Sequence, residues 1–444
     1  MNAQFPFCRA IAIAALIMIS AGSASGALSA PGDPPFPIQL PVSVNGYHLG
    51  GEEQVSEPLT SSDPNRFLPA IAYDYTHNLY LVVWHQINEF GYRDVWGRLV
   101  NTAGKPVAPQ FIISGGTYNN VQPAVAFSGT SNEYLVVYMS DVNGNGQKYD
   151  IRGQRLSFNG AFMGDELTIQ TFANRSFWSP EIAWNAVWDE FVVVWGALAQ
   201  DTQTATDIGY KILSPTGSVI WASIITSTGY PTNPDIAYDP VHCTYLVVWN
   251  YLNASGHNVV AGDLRDGEAN HVRSISIFGS TTNDALYPRV TMSMGLFYLV
   301  VFEYEYSVTD HDIKGAWVTQ DALSAIPIDL DLSGANDTSP QVTGSSSIFE
   351  FMVAYQRADP SGSKIRMLPV SNLLPLTGID ICNYASTNCA DPVVEYGGRS
   401  YLNAYIIELP SYPLVEAPLP PSPIKHVFDC VFNSAAIFLP AIMK

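Results

Sequence analysis

The sequence predicts an all-β fold, a seven-bladed β-propeller of four-stranded antiparallel blades. Three observations predict it. A short pattern opening with Pro recurs at Pro69, Pro123, Pro180, Pro234, Pro288, Pro340 and Pro392, at spacings of 54, 57, 54, 54, 52 and 52 residues. A period this regular marks a repeat architecture. Each copy also carries a short, continuous apolar run, and the N-terminal segment holds the half-unit that the C-terminal end lacks.

Each unit is read in order from its Pro. The first strand follows the form Pro-x-[Ile/Val], clearest in Pro180-Glu-Ile-Ala-Trp184. After a polar turn comes a run closed by an aromatic residue, such as Tyr80-Leu-Val-Val-Trp84 or Phe191-Val-Val-Val-Trp195. Such runs are too short for a helix, and their continuity fits a strand buried on both faces. A third strand opens at Asp94, Asp150, Asp207 and Asp312. Tight turns follow, for example Asn101-Thr-Ala-Gly104 and Ser157-Phe-Asn-Gly160, where Gly supplies positive φ. A fourth strand such as Phe111-Ile-Ile-Ser114 completes the unit. Four-stranded units at this spacing read as propeller blades. A linear solenoid would need polar capping units at both ends. Here residues 41–46 and 53–59 read instead as third and fourth strands for the last blade, whose first two strands are residues 393–396 and 401–407. N-terminal strands thereby complete the last blade and remove free sheet edges.

The remaining segments fit an exported chain. Residues 1–26 read as a signal peptide, with Arg9, an apolar stretch and small residues near Ala24. Residues 27–38 form a Pro-containing lead-in, 39–407 the propeller, 408–430 a stiff Pro-rich linker and 431–444 a short apolar tail. The tail is interrupted by Pro440 and is too short to span a bilayer, so no transmembrane helix is expected in the mature chain. It reads either as an anchor or as an added strand packed on the propeller. Cys382 and Cys389 are placed to form a disulfide, whereas Cys243 and Cys430 could pair only if the tail folds back. Apolar residues make up 47% of the chain and charged residues 14%, enough for a large core. A net charge of −20 argues against nucleic acid as a partner. The chain is read as a secreted or cell-surface monomer.

The loops between second and third strands should share a face with the connections between blades, around the central channel. They are the most varied segments within the chain. One of them, Asp141-x-Asn143-x-Asn145-Gly146, has the alternate oxygen spacing of a calcium loop, with Asp150 as the next acid. Its twelfth position is Arg152 rather than Glu, and a plain Asn/Gly hairpin is the competing reading. Calcium is the one cofactor the sequence suggests. Directly after the blade-opening Pro, three consecutive units carry Glu181, Asp235 and Arg289, where the others carry Ala70, Ala124, Gln341 and Val393. Two carboxylates near an Arg could divide acid and nucleophile roles in glycoside cleavage. A structural ion pair lining a wet channel is the plainer reading. Tyr92, Tyr118, Trp178, Tyr230 and Tyr304, with Phe177 and Tyr306 nearby, are loop aromatics that could stack on a ligand.

The blade text resembles the β-propeller repeats of secreted bacterial proteins and is distantly similar to sialidase-like propellers. The Asp-box motif of that group, Ser-x-Asp-x-Gly-x-Thr-Trp, is absent: the equivalent turn reads Ser214-Pro-Thr-Gly217. The chain's ending, Phe438-Leu-Pro-Ala-Ile-Met-Lys444, resembles short tails on exported proteins of some filamentous bacteria. The resemblance implies fold and export and carries no catalytic set. The expected function is therefore a non-catalytic propeller binding a glycan or protein ligand through its loop face. A glycoside hydrolase or lyase with carboxylates at the channel mouth, and a structural surface component, are the alternatives.

Overall fold

The computed structural model describes residues 68–408 apart from 200, 201, 203, 294, 346–349, 361, 383–387 and 399, together with the backbone of Ser43–Val44, Tyr47–Gln54 and Ala435–Met443. The leader, the lead-in, the Pro-rich segment and Cys430 lie outside these residues. Among the described residues there is no helix, and so none long and apolar enough to cross a membrane.

The chain folds into successive antiparallel sheets. Five have four strands each, with their inner strands at Ala70–Asp74, Asn120–Ser128, Arg175–Asn185, Thr232–Asp239 and Asp284–Ser293. The remaining strands fall into two groups, beginning at Asn336–Gly344 and Asn388–Tyr396 and joined by one parallel contact between Ser363 and Asn388. Strand order follows the chain within each of the five separate sheets, so every second strand has a partner on both sides.

The last group departs from the sequence reading. Ser400–Glu408 pairs with Ala435–Met443, which pairs in turn with Tyr47–Gln54, and Ser43–Val44 lies outside that. The C-terminal segment, not the N-terminal one, takes the third position, and the N-terminus supplies only the strands beyond it. The physical reason lies in composition. The run Ala-Ala-Ile-Phe-Leu-Pro-Ala-Ile-Met suits a strand covered on both faces, while Tyr-His-Leu-Gly-Gly-Glu-Glu-Gln suits an outer one. Pro440 is accommodated beside a register shift between Leu49 and Glu52.

The core sits between sheets. Glu133–Ser140 is buried at every position, and Tyr80 to Trp84 are each fully shielded. Leu81 and Val83 of the first sheet pack with Val125, Phe127 and Tyr134 of the second. Further clusters join each sheet to the next along the chain. A seventh joins Ile71, Tyr80, Val82 and Trp84 of the first sheet to Leu402 and Ala404 in Ser400–Glu408. Each fully buried Val or Leu side chain contributes on the order of 1.5–3 kcal/mol.

One backbone device recurs in all seven units. The residue before the opening Pro takes positive φ: Leu68 39°, Gln122 51°, Ser179 45°, Asn233 51°, Tyr287 50°, Ser339 54° and Asp391 47°. At six of these a register shift accompanies it, as between Trp178 and Glu181 or Leu286 and Arg289. These are β-bulges, and they re-aim the residue after the Pro. Each non-Gly residue held there costs roughly 1–2 kcal/mol. Tyr287 is about half-exposed, so truncation costs the contacts of its buried half. Tyr287→Ala and Tyr287→Gly lose nearly the same contacts, and Tyr287→Gly is therefore expected to be the more stable of the two by about 1–2 kcal/mol, because Gly alone takes the positive φ without strain. Urea midpoints at unchanged slope would measure both.

Candidate functional site

The bulges bring Glu181, Asp235 and Arg289 to equivalent positions on three adjacent inner strands. The Arg289 guanidinium lies 3.5 Å from Glu181 Oε1, and the two side chains keep 22% and 27% of their surface open. They are largely enclosed by protein but keep part of their surface open to solvent. Asp235 is held differently. One oxygen accepts the Ile236 amide at 2.8 Å and the other accepts the Val290 amide of the neighbouring sheet at 2.7 Å. Asp235 thus ties two sheets together and has no oxygen free of a backbone partner.

Burial pushes the Glu181 carboxyl up to about 8, with Arg289 opposing and Asp235 adding to the shift. Burial also raises Asp235, against Arg289 and its two amide bonds. A further acid, Glu395, is pushed up to about 8 by burial, opposed by the Thr343 hydroxyl at 3.5 Å. Sequence reading passed over Glu395. It stands three residues after its Pro, where the other units carry Ala72, Ala126, Ala183, Ala237, Thr291 and Thr343. That single acid in an otherwise small, neutral column was the available signal. Burial thus shifts Glu181 and Glu395 towards the protonated, hydrogen-bond-donating form on the inner strands that also carry the Arg289 guanidinium.

The candidate calcium loop does not converge. Asp141 Oδ2 accepts the Gly146 amide and the Asp141 carbonyl accepts the Gly144 amide, forming a compact turn with both glycines at positive φ. Asn145 accepts the Gln147 amide. Asp150 is instead bound by Lys148 at 2.6 Å, so the second acid of the pattern is already neutralised. Among the described residues no group of three or more His, Cys, Asp or Glu is arranged to hold a metal. The Asp residues opening third strands have structural partners. Asp94 accepts the Gly116 amide, Asp312 accepts the Ser333 amide, and Asp207 pairs with Arg175.

Among the aromatics, Tyr304 and Phe177 need correcting. Tyr304 is buried against Phe278 and beneath Lys314, and Phe177 is buried edge-on to Trp195. Both lie within extended strands that run further than the sequence pattern indicated, Phe297–Ser307 and Arg175–Asn185. Tyr92, Tyr118 and Trp178 are half-buried and Tyr230 is exposed. Trp178 lies across from Gly196, where any side chain would collide with the indole. Cys382 and Cys389 form a disulfide, and Cys243 is also disulfide-bonded.

Glu395 has a linked consequence. Its folded pKa lies above its unfolded one, so the native state holds a proton that the unfolded state releases from about pH 4.5 upward. Stability should fall as pH rises through this window and level off above about 8. Glu395→Gln should flatten that slope and raise stability at pH 8 by about 1–3 kcal/mol, allowing for the partial solvent exposure of Glu395. Thermal unfolding across the pH range would check it.

No protein-family model and no curated protein matches the chain. Solved structures with similar architecture include a protein of unknown function from Dyadobacter fermentans, at 8% identity and a TM-score of 0.48, covering 74% of this chain and 96% of that one. A Hadza microbial sialidase matches at 10% identity and a TM-score of 0.44, over 66% of this chain and 63% of its own. An endo-arabinase from Bacteroides thetaiotaomicron matches at 12% identity and a TM-score of 0.38, over 63% of this chain and 99% of that one.

Proposed function

We propose that the chain is an exported, seven-bladed β-propeller that binds a glycan without cleaving it. The ligand would enter through the face carrying the loops between second and third strands. The seven core clusters, each between successive sheets with one joining first to last, support the closed seven-blade arrangement. The Cys382–Cys389 disulfide supports an oxidising location, and the leader text supports export.

The observation that carries the non-catalytic reading is Asp235. Glycoside cleavage needs a carboxylate free to attack the sugar or activate water. Asp235 has both oxygens bonded to backbone amides, so it serves as a strut. Glu181, Arg289 and Glu395 remain as donors suited to the hydroxyls and ring oxygens of a glycan.

Hydrolysis is the second reading, and one feature favours it. Glu181 holds its proton near neutrality beside a second carboxyl in a different environment, the arrangement a general acid uses. A glycan array and polysaccharide turnover assays separate the two. On the binding reading, Arg289→Ala should lower glycan affinity by roughly tenfold, with no turnover by the unaltered protein. Polysaccharide turnover that Glu181→Gln abolishes would replace binding with hydrolysis. Capture of a protein ligand and of no glycan would move the partner class, and ordered self-association would support a structural surface role.

A further inference from the structure

Away from the channel, the outer part of the groove between the third and fourth sheets holds a cavity of about 520 Å³. Its walls come from Val219–Thr226, the outer strand of the third sheet, and from Asn258–Asp266 and His271–Phe278 of the fourth.

One charged residue in this groove, Arg265, stands where the other sheets bury hydrocarbon. Opposite the aromatic residue that starts each apolar run, five sheets place Val100, Leu156, Leu213, Val318 and Val370, all fully buried. The fourth sheet places Arg265 opposite Tyr245. Arg265 Nε lies 2.9 Å from Asp263 Oδ1, its Nη1 donates to the Ala269 carbonyl at 2.8 Å, and its guanidinium covers the Tyr210 ring at 4.9 Å. The other Asp263 oxygen takes the Ser274 hydroxyl at 3.0 Å and His271 Nδ1 at 2.8 Å. Asp263 and Arg265 are 3% and 7% exposed. A buried ion pair gives no better stability than well-packed hydrocarbon of similar volume. Arg265 is the one charged residue among the six at this register position, and it stands beside a cavity, which points to a role other than packing.

Three features define what the cavity accepts. The charges of Asp263 and Arg265 cancel, so an ion of either sign would meet its own sign close by. Carboxylate, guanidinium, hydroxyl and imidazole stand within one short span and bond to one another, which fixes His271, 54% exposed, by its Nδ1 and leaves its other ring nitrogen facing a ligand hydroxyl. Trp221 is 56% exposed on the outer strand and presents a flat apolar ring beside them. An aromatic face next to a few fixed polar groups, in a volume of this order, suits a small polar ligand with one apolar face.

We propose that this rim groove is a binding site for a neutral saccharide, with Trp221 stacking on the sugar ring and His271, held in place by Asp263 and through it by Arg265 and Ser274, bonding its hydroxyls. The site is distinct from the channel and stands whether or not the loop face binds a glycan.

The test titrates the intact protein with glucose, galactose, N-acetylglucosamine, arabinose and cellobiose, followed by calorimetry and tryptophan fluorescence. At least one sugar should bind saturably with a fluorescence change. Trp221→Ala should weaken that binding by roughly tenfold or more. Trp221→Phe should keep most of the affinity by calorimetry while silencing the fluorescence change. Asp263→Asn should also weaken binding, and Arg289→Ala should leave it unchanged. Trp221 is half-exposed, so its variants are expected to keep the unfolding temperature of the parent and remain decisive even where Asp263→Asn fails to fold. Absence of saturable binding by every sugar would overturn the proposal. So would binding that is lost in Arg289→Ala and indifferent to Trp221→Ala, a result that removes the rim site while leaving the loop-face reading intact.

Discussion

The structure depends on one requirement: the second strand of each sheet must be covered on both faces. Runs such as Tyr134-Leu-Val-Val-Tyr138 have no solvent-tolerant side, and their own sheet supplies only lateral hydrogen bonds. Cover comes from the sheets before and after, so no sheet can be stable by itself. This explains why polar chemistry is confined to the inner strands, the loops and the outer rim. It also explains the buried polar residues that end the inner strands. Asp74 and Asp239 each accept two amides of the following turn, and Asn185 does the same, so a polar side chain can be buried at the foot of the sheet without an unmet partner.

The candidate site residues on the inner strands are positioned by the same scaffold. A left-handed residue before each Pro is unfavourable in isolation, more so because Pro itself restricts its predecessor. Its recurrence in all seven units shows that packing on both sides over-determines the bend. Glu181, Asp235 and Arg289 take their placement from a bend shared with Ala70 and Val393, and differ only in what they carry at its tip. The site is a variation in side chains on a fixed backbone.

How much of this was legible in the sequence follows from which forces act locally. Strand order and the paired burial of the apolar runs could be read because period and hydrophobicity are properties of short segments. Grouping Glu181, Asp235 and Arg289 also worked, because equal offsets from Pro mean equal positions on neighbouring strands. The fate of Asp235 could not be read, since its second amide partner belongs to Val290 on another sheet. The pairing of Asp150 was hidden for a similar reason: its spacing suggests a metal ligand, and nothing in that spacing shows that Lys148 lies 2.6 Å from it. Tyr304 looked like a loop residue because the polarity of Glu303 and Glu305 hid the continuation of the strand. The left-handed bends before Pro run against local preference, and so no propensity argument would have found them. Arg265 became visible only after strand register showed which hydrocarbon it replaces.

The third strand of the last sheet has a temporal consequence. Residues 435–443 lie between a strand ending at residue 408 and one drawn from residues 47–54. Pairing residues 47–54 with 435–443 joins segments almost four hundred residues apart, so the loop-closure entropy is met only after the sheets between them have drawn the two together. Sealing of this last sheet is therefore expected among the late steps of folding, with Leu402 and Ala404 on its flank against the first sheet.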